Sequence, residues 1–442
     1  RFNMYNLYVN FDKTVGKVKP FHGINNAPIK GPEDLMHYLG DAGIPYSRLH
    51  DTGGRYGGFR YVDIENIFRD FSADPENPDS YDFAFTDKLL AEITEQGTEP
   101  FYRLGATIEN SHRIKAYHIF PPKDNLKWAK ICEGIIKHYN HGFANGFHYG
   151  IKYWEIWNEP DNERNIEDNP MWKGTKEQYY SLYEVTANYL KSVFDDIKVG
   201  GYAGCGMYAI EDGYDSPGIP SHRAEYFLEF FEGFLKYITS EEHKAPLDFF
   251  SWHSYEDSKR SILYTRFVRE KLNEYGFDKA ESILNEWNPG TQYRGSEEDA
   301  ARILTMITYL HREPLDKLMY YDGQEDGIYN GIFNPLQYNS VFPAYYAFEG
   351  FNRLYKLGSE AELKCDSEYL PALAAMDGKT GLILIANEED KPLEYKLETT
   401  GDYTMKKVLI SDGENGFKES DTKCPDIISV PAKKMMIIEF EK

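Results

Sequence analysis

The segment Ile151-Lys-Tyr-Trp-Glu-Ile-Trp-Asn-Glu-Pro-Asp161 is a short run of strand-forming residues that ends in a polar turn. The segment Ile283-Leu-Asn-Glu-Trp287 repeats this design later in the chain. Six further runs of the same kind occur, and each of the eight is followed by a longer segment with helical spacing. Strands that alternate with helices indicate βα units around a parallel sheet. Eight such units predict an α/β fold of the (β/α)8 TIM-barrel type.

The predicted barrel elements cover most of the chain. The strands are expected at Phe21–Asn25, Tyr46–His50, Pro100–Leu104, Lys152–Trp157, Lys198–Tyr202, Phe249–Ser254, Ser282–Glu286 and Leu318–Tyr321. The helices are expected at Leu35–Ala42, Phe83–Gln96, Leu126–Tyr139, Lys176–Phe194, Ala224–Tyr237, Arg260–Tyr275, Glu297–His311 and Ala344–Leu354. Asp34 and Ser296 precede two of these helices, where a side-chain oxygen can cap the first turn.

After about Tyr355 the pattern changes to short strand-like runs separated by turn formers such as Asp377-Gly378 and Asn415-Gly416. No long helix fits there, so a small accessory β-sandwich is predicted. The N-terminal stretch Phe2–Val9 also alternates like a strand and is expected to join it. The predicted domains are therefore residues 1–16 and 356–442 for the sandwich and residues 17–355 for the catalytic barrel. The sandwich strands are expected at Leu363–Lys364, Leu382–Ala386, Leu393–Leu397, Lys406–Ser411 and Lys434–Phe440.

The charge balance limits the choice of partners. The 442 residues carry 49 Lys and Arg against 72 Asp and Glu, a formal charge of −23. Such an acidic surface repels phosphate backbones and anionic lipids, which makes nucleic acids and membranes poor partners. No apolar run approaches the roughly 20 residues that span a bilayer. The 36 tyrosines offer flat rings with a polar edge, which suits a neutral carbohydrate ligand.

The four cysteines show no metal-binding or redox spacing. Cys365 and Cys424 lie in the last quarter of the chain and could pair with each other. The chain starts at Arg1 rather than Met, which fits a mature form whose signal peptide has been removed, so an exported protein is expected. Nothing in the sequence predicts an oligomeric state.

Two carboxyl groups stand where a barrel places its chemistry, at the C-terminal ends of strands. Glu159 and Glu286 follow the fourth and the seventh predicted strand. Either residue alone could be a solvated rim residue, but a pair fits glycoside hydrolysis, in which one carboxyl is protonated and the other ionised. If strand alternation holds as far as Pro160, then Glu155, Trp157 and Glu159 point to the same side.

The Trp-Asn-Glu-Pro at residues 157–160 and the Asn-Glu-Trp at 285–287 resemble the motifs of clan A glycoside hydrolases. Within the clan, the chain resembles family 39, which contains β-xylosidases and α-L-iduronidases. Supporting matches are His22-Gly23, Arg48-Leu-His50 and Ser251-Trp-His-Ser-Tyr255. A barrel with a sandwich that also takes N-terminal strands is similar to that family's architecture. The resemblance covers nearly the whole chain.

The resemblance implies a role for each matching residue. It implies that Glu159 is the acid/base, that Glu286 is the nucleophile and that Asn158 binds the sugar 2-hydroxyl. By the same resemblance, Arg48 holds the nucleophile ionised and the hydroxyl of Tyr255 reaches it.

The remaining matches concern the sugar itself. His50 and His253 match polar residues of the sugar subsite, while Trp287 is an even choice between rim packing and a sugar platform. No metal or other cofactor is expected, because the chain has neither an HExxH pair nor an Asp-rich calcium loop.

The predicted function is a retaining glycoside hydrolase that works by double displacement, with carboxyl groups ~5–5.5 Å apart. The sugar does not carry over, because the loops at residues 51–58, 102–109 and 320–327 differ from those of xylosidases in the family. Two alternatives share these features. One is a carbohydrate-binding barrel that hydrolyses nothing, and the other is a transglycosidase that passes the same intermediate to an acceptor sugar.

Overall fold

The computed structural model describes residues 4–29, 31, 33–52, 61–108, 118–325, 329–421 and 425–442. Within these residues the chain forms a closed parallel barrel and a separate nine-stranded sheet. The predicted fold class, a TIM barrel with an accessory sandwich, is confirmed. None of the described helices combines the length and the apolar character needed to cross a membrane.

The chain opens with strand β1, which belongs to the sandwich, and then enters the barrel. Each strand of the barrel pairs with the next in sequence, and β2 closes the circle against β9. All eight lie on the predicted runs. The strands are β1 (Met4–Lys17), β2 (Gly23–Asn25), β3 (Tyr46–Leu49), β4 (Glu99–Leu104), β5 (Tyr153–Ile156), β6 (Lys198–Gly204), β7 (Phe249–His253), β8 (Glu281–Glu286) and β9 (Lys317–Tyr320).

The predicted helices are all present, and one short helix, α2, was not predicted. Ser296 caps its helix as expected, since its Oγ accepts the Asp299 N–H at 3.1 Å. The prediction for Asp34 is wrong, because Leu35 and Met36 are buried and the helix begins only at His37. The helices are α1 (His37–Asp41), α2 (Ile64–Ile67), α3 (Ala84–Glu95), α4 (Asn125–His141), α5 (Lys176–Val193), α6 (Ser221–Thr239), α7 (Ser258–Glu274), α8 (Glu297–His311) and α9 (Ala344–Leu357).

The sandwich is one continuous sheet that curls around its own core. In it β1 runs antiparallel to β10 and parallel to β13, so the sheet draws on both ends of the chain. Three strands, β11, β15 and β16, were not predicted. The strands are β10 (Ser359–Cys365), β11 (Ala372–Met376), β12 (Thr380–Asn387), β13 (Leu393–Thr400), β14 (Thr404–Ser411), β15 (Phe417–Glu419), β16 (Ile427–Val430) and β17 (Lys434–Glu441).

The alternation of β12 explains how the sandwich is attached to the barrel. Ile383 and Ile385 belong to the sandwich core, while Leu382 and Leu384 belong to the barrel core, where the sheet contacts α8 and α9. Successive side chains of a strand point to opposite faces, so a strand that is buried on both faces contributes to two cores. The pairing of Cys365 with Cys424, which the sequence allows, is not tested, because Cys424 lies outside the described residues.

Candidate active site

A cleft of about 520 Å³ lies at the C-terminal ends of the barrel strands. Glu159, which follows β5, and Glu286, the last residue of β8, both reach its wall. The cleft extends on the Glu159 side to Arg223 on α6, and on the Glu286 side to Gln292 in the loop after β8. The structure thus brings together the two carboxyl groups that the sequence placed on separate strands.

The chain after β5 leaves the strand through two residues in the left-handed region. Trp157 has φ +73° and Glu159 has φ +44°. The predicted alternation fails at this point, because the left-handed turn at Trp157 lets Glu155 and Asn158 approach the same guanidinium. Left-handed φ in residues other than glycine costs of order 1–3 kcal/mol each, and such strain concentrates at functional sites.

Trp157 itself is turned away from the cleft. Its indole N–H donates to the Met171 carbonyl at 2.8 Å, and its side chain is buried. A Cβ on Gly105 would lie 2.9 Å from this indole, so the ring fits only because residue 105 is glycine. The buried indole anchors the turn that presents Glu159 to the cleft.

Arg48 on β3 is the centre of a buried hydrogen-bond network. Its Nε donates to Glu155 Oε1 at 2.7 Å, and its Nη1 donates to Glu286 Oε1 at 2.7 Å. Nη1 also donates to Asn25 Oδ1 at 3.0 Å, and Nη2 donates to Asn158 Oδ1 at 2.6 Å. Arginine stays protonated in proteins, so this guanidinium holds a fixed positive charge between two buried carboxylates.

Glu286 has two strong donors. Besides Arg48, the Tyr255 hydroxyl donates to Glu286 Oε2 at 2.7 Å. Burial raises the pKa of Glu286, while Arg48 and the Tyr255 hydroxyl act in the opposite direction. Both contacts favour the ionised carboxylate over the protonated form.

Glu159 has weaker polar partners. Its Oε2 accepts the Asn162 side-chain N–H at 2.8 Å, and its Oε1 lies 2.6 Å from His253 Nδ1. Burial raises the pKa of Glu159 and lowers the pKa of His253 to about 4, so the imidazole is neutral near pH 7. No cation lies in direct contact with Glu159 among the described residues. The direct contacts with Arg48 and the Tyr255 hydroxyl therefore favour the ionised form of Glu286, whereas the direct partners of Glu159 are neutral.

His50 and Trp287, two further residues predicted to bind the substrate, occupy different positions. His50 lines the cleft, and its Nε2 lies 3.2 Å from Asp51 Oδ1. Trp287 is fully buried, meets Tyr320 edge-on at a ring distance of 5.6 Å and does not line the cleft. Its indole N–H has no partner among the described residues. The structure places His50 on the wall of the cleft, whereas Trp287 does not line the cleft.

Several polar residues of the site were not found from the sequence, among them Asn25, Glu155, Asn285 and Asp51. Asn25 ends β2 and Glu155 lies within β5, and both bind Arg48 from inside the barrel. Asn285 connects them, because it donates to Glu155 Oε2 at 2.5 Å and its carbonyl accepts the Asn25 side chain at 2.6 Å. Asp51 lies on the cleft wall and accepts the Tyr321 hydroxyl at 2.7 Å. A search of the C-terminal strand ends, where barrels place their active sites, could have found Asn25 and Asp51. No local sequence signal marks Glu155, which lies within its strand.

Within the described part of the chain, one group of side chains has the spacing of a metal site. Glu159, His253 and Glu286 each offer one ligand atom, and these atoms lie within 4.8 Å of one another. Arg48 already places a positive charge 2.7 Å from Glu286. A divalent cation would be repelled by this guanidinium, so the group is better suited to moving protons than to holding a metal.

Comparison with known proteins agrees with this geometry. The family model described as glycosyl hydrolases family 39 matches residues 42–295, which is more than half of the chain. A beta-xylosidase from Caldicellulosiruptor saccharolyticus is 24% identical over 426 residues, which cover 88% of this chain and 79% of that protein.

Solved structures show the same fold. A glucosidase from Croceicoccus marinus superposes with a TM-score of 0.78 at 22% identity, over 100% of this chain and 99% of that chain. A family 39 beta-xylosidase from Caulobacter crescentus gives a TM-score of 0.70 at 18% identity, over 99% of both chains.

Proposed function

Since the chain belongs to glycosyl hydrolase family 39 and is a glycosidase, we propose that it hydrolyses glycosides by double displacement, with Glu286 as the nucleophile and Glu159 as the acid/base. Membership of this family argues against the alternative of a carbohydrate-binding barrel that hydrolyses nothing. One carboxylate oxygen of Glu159 lies within 4.8 Å of one of Glu286. The two carboxyl groups therefore face each other across one cleft at close range, and this close approach carries the proposal, because retention needs them ~5–5.5 Å apart and inversion needs the wider ~6.5–9.5 Å.

The unequal surroundings of the two carboxyl groups support these roles. Arg48 and the Tyr255 hydroxyl favour an ionised Glu286, which attacks the anomeric carbon. Glu159 lacks such a cation and keeps its proton longer, so it can donate to the glycosidic oxygen as the bond breaks. In the second step Glu159 takes a proton from water, and this water displaces Glu286 and releases the sugar with its configuration retained.

The remaining residues would hold the sugar. Asn158 directly precedes Glu159, and its side-chain oxygen accepts a hydrogen bond from Arg48. Its side-chain N–H is proposed to donate to the 2-hydroxyl, although the residue is only 1% exposed without a ligand. His50 and Asp51 line the same cleft near Tyr321 and can bind further hydroxyls. Hydrogen bonds to the 2-hydroxyl strengthen in the transition state and add to the rate.

The charges of the cleft favour a neutral sugar over a uronic acid. Asp51, Glu159 and Glu286 line it, and among the described lining residues Arg223 is the one fixed cation. Arg223 already donates to Asn162 and to the Gly218 carbonyl. Among the described residues, a uronate carboxylate beside Asp51 would meet negative charge and no free cation to pair with. Neutral pyranosides such as xylosides and glucosides are therefore the proposed substrates.

The test is the initial rate of hydrolysis of aryl xylosides, glucosides, galactosides, arabinosides and uronides. We expect a neutral glycoside to be cleaved, with the retained anomer as first product by proton NMR. Glu286→Ala should lose activity by several orders of magnitude. Glu281→Gln is the matched control, because Glu281 lies at the opposite end of β8 and binds Tyr153 and Lys198 there. It should retain the parent's kcat/KM.

Two results would overturn this proposal. A first product of inverted configuration would show that no covalent intermediate forms. Activity that survives Glu286→Ala would show that Glu286 is not the nucleophile. Adding azide to Glu159→Ala provides a further check, because azide should attack the intermediate without base catalysis and yield a glycosyl azide of retained configuration. Adding an acceptor sugar to the parent separates hydrolysis from transglycosylation, since only the latter gives mainly transfer products.

A further inference from the structure

A second cavity of about 350 Å³ lies where the barrel meets the sandwich. Four tyrosines line it, Tyr5 of β1, Tyr309 of α8, Tyr369 before β11 and Tyr395 of β13, and this set is called the tyrosine pocket below. The rings are arranged in two pairs, with Tyr5 and Tyr395 at 6.0 Å and Tyr309 and Tyr369 at 5.7 Å between centroids. Both parts of the protein therefore contribute to one aromatic wall.

The hydroxyls of this pocket are not used by the fold. Tyr395 is 1% exposed and Tyr309 is 9% exposed. Neither hydroxyl hydrogen-bonds another residue of the described chain, although both side chains line the cavity. Neither oxygen is among the fully buried polar atoms that lack a partner, so both hydroxyls reach the cavity and are accessible to solvent there. These two hydroxyls are available to a ligand in the cavity.

The charges around the tyrosine pocket exclude an anionic ligand. Among the lining residues that the structure describes, four are carboxylates and one is a cation, Lys259, whose Nζ lies 4.6 Å from the centroid of the Tyr369 ring. Aromatic faces combined with carboxylate and hydroxyl acceptors suit a neutral molecule that carries many hydroxyl donors. The carboxylate residues are Asp366, Glu368, Glu388 and Glu389.

A third cavity of about 240 Å³ adjoins both the catalytic cleft and the tyrosine pocket. This side cavity shares Tyr255 and Gln292 with the cleft, and it shares Glu388 with the tyrosine pocket. Its wall contains Trp287 and Tyr293. The row of cavities thus begins on the nucleophile side of the cleft.

We propose that the tyrosine pocket is an accessory binding site for a neutral oligosaccharide, and that it holds a distal sugar unit of the chain or branch whose glycosidic bond lies between Glu159 and Glu286. This inference rests on the proposed function for the identity of that bond. The row of aromatic and acidic walls from Tyr255 to Tyr395 explains why the two sites would take the same ligand. It also gives the buried Trp287 a position beside the sugar path.

The experiment measures oligosaccharide binding with the full chain carrying Glu286→Gln, so that the ligand is not consumed. The probes are xylohexaose and cellohexaose, with xylobiose and cellobiose as short references, and Kd is measured by calorimetry. Tyr5→Ala removes one ring of the tyrosine pocket. Tyr8→Ala is the matched control, because Tyr8 lies on the same strand but on the opposite face and contacts Thr400 at 3.1 Å.

We expect at least one hexasaccharide to bind more tightly than its disaccharide. Tyr5→Ala should weaken that binding about tenfold, which corresponds to about 1.4 kcal/mol, and should leave disaccharide binding unchanged. Tyr395→Phe, which removes only an unpaired hydroxyl, should weaken it in the same direction and covers the case that Tyr5→Ala does not fold. Tyr8→Ala should bind like the parent.

Equal hexasaccharide affinity in Tyr5→Ala, Tyr395→Phe and Tyr8→Ala would overturn the inference, as would hexasaccharides that bind no better than disaccharides. Failure of the proposed function gives a different result. In that case the aryl glycosides are not cleaved by the parent, whereas a tyrosine-dependent gain in hexasaccharide affinity can still be measured.

Discussion

Replacing Tyr255 by Phe tests how Glu286, the proposed nucleophile, is kept ionised. The substitution removes a hydroxyl that donates to Glu286 Oε2 at 2.7 Å and leaves the ring in place. Hydrogen bonds to charged groups contribute about 1.5–3 kcal/mol and neutral ones about 0.5–1.5 kcal/mol, so the ionised form loses roughly 1–1.5 kcal/mol more than the protonated form. At about 1.36 kcal/mol per pKa unit, the pKa of Glu286 should rise by up to about one unit.

The exposure of Tyr255 reduces this figure. Its side chain is 40% exposed, so water can replace part of the lost hydrogen bond, and a rise of about half a unit to one unit is expected. The assay is kcat/KM against pH with an activated aryl glycoside. Its acidic limb reports the pKa of the free enzyme's nucleophile. On that limb the variant should be about three- to tenfold slower than the parent at the same pH.

Tyr214→Phe is the matched control for this measurement. The Tyr214 hydroxyl also donates to a glutamate, Glu256, at 2.7 Å, but it does not line the cleft. Its loss should leave the acidic limb unchanged. If Tyr255→Phe leaves this limb in place or moves it to lower pH, the assignment of the hydroxyl as a support for ionised Glu286 is refuted.

Three further predictions use the same structure. Glu155→Gln should shift the acidic limb of kcat/KM to lower pH by roughly one unit, because Glu286 would then be the one carboxylate that Arg48 contacts. The same pH profile measures this shift, and a shift to higher pH would contradict the prediction. Burial raises the pKa of Asp161 to about 8, so the folded state binds more protons than the unfolded chain between about pH 4 and 8 and stability falls as pH rises through this window. In urea unfolding at pH 5 and pH 8, Asp161→Asn should reduce the loss of unfolding free energy between the two pH values by at least about 1.4 kcal/mol, the equivalent of one pKa unit. An unchanged pH dependence of stability would refute the raised pKa of Asp161. Ser296→Ala should lower the free energy of unfolding by about 1 kcal/mol through loss of the α8 cap while kcat/KM stays at the parent value; a stability equal to the parent's would show that the cap contributes nothing.

Most of the barrel could be predicted because its elements are encoded locally. Each barrel strand is a short apolar run, and each long helix has its own periodic spacing, so neither depends on distant residues for its recognition. The sandwich was predicted less completely. β15 spans only three residues and β16 only four, and strands this short carry too little pattern to stand out from turns.

The catalytic pair could be placed for a related reason. Active sites of TIM barrels lie at the C-terminal ends of the strands, so the strand assignment alone predicted that Glu159 and Glu286 lie at the same end of the barrel. The direction of Glu155 could not be predicted. Glu155 and Asn158 both contact the Arg48 guanidinium, and they can do so because Trp157 between them has a left-handed φ. No β-branched or aromatic pattern in the sequence encodes this change of backbone direction.

The sequence by itself determined the fold class, the order of the elements and the two strand ends that carry carboxyl groups, because these follow from periodicity and from barrel geometry. Only the tertiary structure decided that Arg48 lies between Glu155 and Glu286, that Trp287 is buried and that tyrosines from α8 and the sandwich share one cavity. The physical reason is that hydrogen bonds and burial join residues up to hundreds of positions apart. Their energies depend on distance in space, which no local pattern contains.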